Sequence, residues 1–138
     1  MNQQATSPSN TNLRRVLIVD DNPRLSRIIE LQLRLSGVWM LVGAASYPDE
    51  ARMLTASEQP DVVLLDLWLH GADTIDLIAE LSDSAVPPAV VILTAEPDPI
   101  WSERALAAGA RAYLSKIDVR DIPAALASIL PYRTMPDA

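Results

Sequence analysis

Apolar residues along this chain fall into five short, nearly unbroken runs, at residues 16–19, 38–44, 62–65, 89–93 and 111–114. Runs this solid lack the alternation of a half-exposed strand, so they predict parallel strands buried on both faces. The segments between and after them predict helices: 23–36, stopped by Gly37; 48–57; 74–82; 99–108, stopped by Gly109; and 122–130. Each has at least a partial apolar face. Leu25, Ile28, Ile29 and Leu35 recur at helical spacing in the first, and Ile122, Leu126, Ile129 and Leu130 in the last. A five-fold alternation of strand and helix predicts a doubly wound α/β sheet covered on both sides. No internal repeat interrupts it.

The architecture gives meaning to the residues that close the strands, because ligands of such sheets bind beyond the carboxyl ends of the strands. The first run, VLIV, ends on two adjacent carboxylates, Asp20 and Asp21; DVVLLD ends on Asp66; AVVILT ends on Thr94; and Lys116 follows RAYLS. Taken alone, Asp-Asp-Asn-Pro is an ordinary turn and helix cap at a strand that has reached solvent. Four strand ends reading acid pair, acid, hydroxyl and lysine on one rim make a site. Three carboxylates gathered there would repel one another and raise their own pKa values unless a cation neutralised them. Oxygen-only ligands of this kind suit Mg2+. One carboxylate could then attack a phosphoryl group whose oxygens are held by the cation, the Lys116 ammonium and the Thr94 hydroxyl.

Composition bounds the alternatives. At 138 residues and 49% hydrophobic, the chain has the size of one domain with one substantial core. The absence of cysteine removes disulfides, thiol catalysis and cysteine-ligated zinc, and the single histidine, His70, removes a histidine cluster. A net charge of -7 argues against a nucleic-acid-binding surface and suits a cationic or metal-bearing partner. Residues 1–12 are polar and lack a signal pattern, so a disordered leader is expected there, and 131–138 reads as a frayed tail. No uncharged apolar run reaches the ~20 residues of a membrane helix; the longest, 84–95, is broken by Pro87 and Pro88.

The segments VLIVDDNP, DVVLLD, VVILTA and GARAYLSK together resemble the bacterial two-component response-regulator receiver domain, in that family's order and spacing from about residue 13 to residue 130. The resemblance implies a flavodoxin-like, five-stranded parallel sheet of order 2-1-3-4-5, with 13–130 as the receiver unit. It implies that Asp66 is the phosphoacceptor, that Asp21, Asp66 and the Trp68 backbone carbonyl ligate Mg2+, and that Asp20 acts through metal-bound water. Thr94 resembles the switch hydroxyl, Lys116 the phosphate-binding lysine and Tyr113 the switch aromatic. A sensor histidine kinase or histidine phosphotransfer protein is the implied donor, and a protein partner or attached output domain the implied target. A cytoplasmic location follows from the same resemblance, and a homodimer is compatible with it. In this reading the chain is a signalling module that catalyses only its own phosphorylation and dephosphorylation.

Three positions depart from the family pattern. Four and eight residues after the phosphoacceptor, where the family commonly has Pro and Gly, stand His70 and Thr74, and Lys116 is followed by Ile117 instead of Pro. A cis bond before Ile would cost roughly 2.5–4 kcal/mol, so trans is expected. His70 reads as a solvated loop residue without a role, and the helix bearing Trp101 has too weak an apolar face to assign that side chain to core or surface. The competing function is a Mg2+-dependent phosphohydrolase on a similar sheet. It would want a second acid two residues after the nucleophile or a capping insertion; Trp68 occupies that position and no insertion exists. Eight residues beyond the last predicted helix are too few for a DNA-binding domain, so the chain is expected to be either a single-domain regulator or a piece of a longer one.

Overall fold

A computed structural model describes residues 13–117 and 120–130; the expected leader at 1–12 and tail at 131–138 lie outside these. The chain runs β1 (Arg14–Val19), α1 (Pro23–Ser36), β2 (Trp39–Ala45), α2 (Pro48–Glu58), β3 (Val62–Asp66), β4 (Trp68–Leu69), β5 (Ala72–Asp73), α3 (Ile75–Ser82), β6 (Ala89–Thr94), α4 (Pro99–Ala108), β7 (Ala112–Ser115) and α5 (Ile122–Ile129). Five strands form one sheet in the order β2-β1-β3-β6-β7, all pairs parallel. With the small β4–β5 hairpin set aside, this is the expected order 2-1-3-4-5. Each crossover is helical, as parallel pairing requires.

The unbroken apolar runs are explained by two cores, one on each face. Alternate residues of the central strands, Leu17, Val19, Val63, Leu65, Val90 and Ile92, pack with Ala51 of α2, Leu77, Ile78 and Leu81 of α3, and Ala105 of α4. The intervening residues, Val16, Ile18, Val62, Leu64, Val91 and Leu93, pack with Ile29 and Leu33 of α1 and Ile122 and Leu126 of α5. Period-two alternation thus survives as a choice between two cores, with every such position 2% exposed or less on the central strands.

Helix starts follow local chemistry. Asn22, Asp98 and Asp121 accept backbone N–H groups at the first turns of α1, α4 and α5, each followed by Pro in the first turn. Gly37, at φ 73, closes α1 in the left-handed conformation. Elements fall within a residue or two of their expected bounds; β3 and β6 each extend by one residue, onto Asp66 and Thr94, so both residues are strand members. The β4–β5 hairpin was not expected; its two-residue turn is His70–Gly71, with φ 51 and 82.

Candidate functional site

The end of β1 answers why a buried strand closes on two acids. Asp20 still belongs to the sheet edge, its N–H donating to Ala45 O at 2.9 Å. Its Oδ1 accepts the Asn22 N–H at 2.7 Å, turning the chain, and Asn22 Oδ1 then accepts Arg24 N–H at 3.0 Å to start α1. The bland reading of the motif is therefore correct for Asn22 and for one oxygen of Asp20. Left over are Asp20 Oδ2, on a residue only 4% exposed, and the whole Asp21 carboxylate.

These groups meet Asp66. One carboxylate oxygen from each of Asp20, Asp21 and Asp66 lies within 4.8 Å of the others. Lys116, arriving from the end of β7, places its Nζ 2.9 Å from both Asp20 Oδ2 and Asp66 Oδ2. The approach to Asp66 is a hydrogen bond, whereas the approach to Asp20 is an ion contact whose angles leave that covered oxygen without one. Asp66 Oδ1 accepts the Trp68 N–H at 3.1 Å. Burial pushes the Asp66 carboxyl pKa up and the Asp20 charge adds to this, outweighing the lowering by Lys116 and the Trp68 N–H. Burial disfavours the Lys116 ammonium too, but the hydrogen bond to Asp66 and the negative charges of Asp66 and Asp20 overcome it and raise that pKa. One ammonium facing three carboxylates leaves negative charge in excess. A covered, unbonded oxygen in an all-oxygen donor set fits a hard divalent cation such as Mg2+.

Beside this cluster opens a cleft of about 380 Å³ whose lining includes Asp66, Trp68, Thr94, Trp101 and Lys116. Thr94, 1% exposed, ends β6, and its carbonyl accepts the Lys116 N–H at 2.7 Å. The structure therefore brings together Asp20, Asp21, Asp66, Thr94, Lys116 and Trp68. Tyr113 is half-buried on β7 but stands apart from the cleft lining; its hydroxyl accepts the Asp98 N–H at 3.3 Å. Trp101 is half-buried and meets Trp68 edge-on, ring centroids 4.8 Å apart, with the Arg104 guanidinium 4.8 Å from its own ring.

The departures from the family pattern resolve structurally. Thr74, buried at the cap of α3, donates its hydroxyl to Asp66 O at 3.0 Å and Leu67 O at 3.1 Å, bracing the loop that leaves Asp66. No cis peptide occurs among the described residues, so Lys116–Ile117 is trans as expected. His70 is not merely solvated. Its N–H donates to Asp21 Oδ2 at 3.0 Å, its Nε2 lies 2.9 Å from Ser46 O, and its ring stacks on Tyr47 with centroids 4.3 Å apart. Sequence reasoning missed these roles of His70, Thr74 and Tyr47. The one available signal was His-Gly between Trp68-Leu69 and Ala72-Asp73, a dipeptide suited to a turn with positive φ at both residues.

Fold and site define a doubly wound α/β protein carrying an acidic, lysine-bridged centre at the carboxyl edge of its sheet. Residues 16–127 match the response regulator receiver domain family, and the chain belongs to it. It is similar to the DNA-binding response regulator MtrA of Mycolicibacterium smegmatis, 39% identical over 105 residues, which cover 74% of this chain and 43% of MtrA. Among solved structures it resembles the signal receiver domain of NarL from Mycobacterium tuberculosis, at TM-score 0.77 and 30% identity, covering 86% of this chain and 97% of that one. A response regulator protein from Burkholderia pseudomallei, solved with a phosphorylated aspartic acid, calcium ion and citrate, matches at TM-score 0.75 and 25% identity, covering 86% of this chain and 67% of that one. The chain spans 34% to 49% of the length of the curated relatives it matches. It is a receiver domain of two-component signalling, and its relatives are response regulators, not phosphohydrolases.

Proposed function

We propose that Asp66 accepts a phosphoryl group from a phosphohistidine of a sensor kinase or phosphotransfer protein, within a receiver unit spanning residues 13–130. The observation that carries this reading is Asp66 itself: a strand-end carboxylate, 7% exposed, lining a cleft and held by Lys116. An Asp66 oxygen attacks phosphorus, the P–N bond breaks, and the imidazole leaves with the donor. Lys116 follows the incoming oxygens, since its ammonium already touches the attacking group. Thr94 offers its hydroxyl from the next strand end. A bound Mg2+ would supply neutralisation of phosphoryl charge, and Asp20, Asp21, Asp66 and the Trp68 backbone carbonyl would hold it. The aspartic phosphate and calcium ion of the Burkholderia pseudomallei relative support both assignments by analogy.

The new charge, about -1.5 to -2, draws Thr94 toward the phosphoryl group and biases the position of Tyr113, whose hydroxyl bond to the Asp98 amide ties β7 to the start of α4. A protein partner or an attached output domain reads that face; this acidic chain makes no nucleic-acid contact itself. A cytoplasmic location belongs to the same reading. Incubation with acetyl phosphate and Mg2+ tests the reading. Labelling to one phosphoryl group per chain, absent in Asp66→Asn, is expected. Sustained phosphate release over many turnovers would instead favour a phosphohydrolase, and full labelling of Asp66→Asn would move the acceptor elsewhere.

A further inference from the structure

His70 sits with φ 51, in the left-handed region that non-glycine residues seldom occupy. Its ring is fixed from two sides, by the near-parallel stack on Tyr47, interplanar angle 12°, and by Ser46 O at 2.9 Å from Nε2. A carbonyl oxygen only accepts, so Nε2 carries a proton, and the tautomer that this bond selects presents Nδ1 as an acceptor. That nitrogen faces Asp21 Oδ2 at 3.8 Å, beyond hydrogen-bond reach. The same carboxylate oxygen already takes the His70 N–H. Two acceptors therefore face one another across a gap of the width that a bridging donor fills. Close by, Asp20 and Asp66 share the single ammonium of Lys116, which leaves the three-carboxylate cluster with negative charge in excess.

We infer that His70 is an outer ligand of the divalent cation, its Nδ1 accepting a hydrogen bond from a water that the cation holds beside Asp21. The inference rests on the cation site proposed above. Mg2+ and its relatives keep several waters when protein carboxylates are few, and those waters are strong donors. The backbone and the ring then act together: the N–H of His70 orients the Asp21 carboxylate, and Nδ1 orients the water next to it. Outer partners of this kind commonly contribute 10- to 100-fold in metal affinity. His70 is half-exposed, so the lower end of that range applies.

Mn2+, which shares the oxygen-donor preference of Mg2+, can be titrated into the full chain without any phosphodonor, with free Mn2+ counted by electron paramagnetic resonance. His70→Phe keeps an aromatic ring over Tyr47 and removes both nitrogens; about a tenfold weaker Kd is expected. His70→Asn abandons the stack and the Ser46 bond, yet its Oδ1 stands where Nδ1 stood and Asn tolerates the left-handed backbone. It is expected to bind within about threefold of wild type, whereas His70→Gln, whose amide stands at the Nε2 position, is expected to follow Phe. A ring that only anchors the hairpin predicts the reverse order, with Gln the better replacement, and that result overturns the inference. So does equal affinity in all four proteins, or tighter binding in Phe, which would mark the ring as an imidazolium repelling the cation. Failure of wild type to bind Mn2+ overturns the cation reading itself, and the two failures are thereby distinguished. Should Phe fail to fold at this position, the Asn–Gln comparison decides alone.

Discussion

Neutralising Asp66, the proposed phosphoacceptor, should stabilise the folded protein while abolishing phosphoryl uptake. Asp66 has two like charges with oxygens within 4.8 Å and one opposite charge at 2.9 Å. At an effective dielectric of about 20, each repulsion is worth at least roughly 3.5 kcal/mol and the attraction roughly 6 kcal/mol. Two repulsions thus cancel the one attraction, leaving the cost of burying the carboxylate, several kcal/mol. Hydrogen bonds to a charged group return about 1.5–3 kcal/mol each, and Asn retains an acceptor for the Trp68 N–H. The residual favours Asp66→Asn by about 1–2 kcal/mol, in the same direction as the raised Asp66 pKa. A carboxyl whose pKa is raised on folding contributes stability below its ordinary value of 3.8 and loses it as pH rises through the folded value. The advantage of Asn therefore grows across that window and is complete above the folded value. Urea unfolding in chelator at pH 7, with phosphoryl uptake measured on the same samples, checks it. A variant no more stable than wild type would show that Lys116 already outweighs the repulsion.

Two further outcomes follow from the same charges. Asp21→Ala should lose phosphoryl uptake from acetyl phosphate at Mg2+ concentrations that saturate wild type, because a cation-binding group is gone while the nucleophile stays; undiminished uptake in excess chelator would refute the need for a cation. Lys116→Met leaves Asp20 and Asp66 facing each other unpaired and should cost about 3 kcal/mol in chelator, part of it restored by Mg2+; unchanged stability in chelator would mean that the cluster does not depend on its ammonium.

What the sequence disclosed and what it concealed have separate physical causes. Strands β1, β3 and β6 were legible because both faces are buried, which leaves apolar runs whose ends are marked by the first polar residue, and those residues are Asp20, Asp66 and Thr94. Position along each strand thus carried the site with it. Contacts made across the chain were not legible. The Tyr47–His70 stack joins the end of β2 to a hairpin turn 23 residues later, which no periodicity records. Strands of two residues, such as β4 and β5, are too short to show alternation. Thr74 falls at an expected helix start, where its hydroxyl would be read as a cap; the backbone carbonyls of Asp66 and Leu67 take it instead. Trp101, ambiguous on its own helix, becomes intelligible only through Trp68.

That pair yields a last prediction, about the lifetime of the phosphorylated state. Trp68 lies two residues beyond Asp66, is 39% exposed, and lines the same cleft. An indole left this open is held in place by something, and the edge-on contact with Trp101 supplies about 0.5–1.5 kcal/mol beyond simple burial. Arg104 covers Trp101 in turn, so the two rings form a braced wall of the cleft. Hydrolysis of an aspartyl phosphate requires water in line with the breaking bond, and its rate depends on positioning. A bulky apolar wall obstructs that approach. Trp68→Asn is expected to shorten the lifetime severalfold, on the order of 1 kcal/mol in barrier. Trp101→Ala, which leaves the first ring in place but unbraced, should shift the lifetime the same way and by less. If the rings serve instead as a partner contact, both variants decay like wild type and lose binding. Following the decay of labelled protein in isolation, with wild type and both variants side by side, separates the two, and equal rates would eliminate shielding.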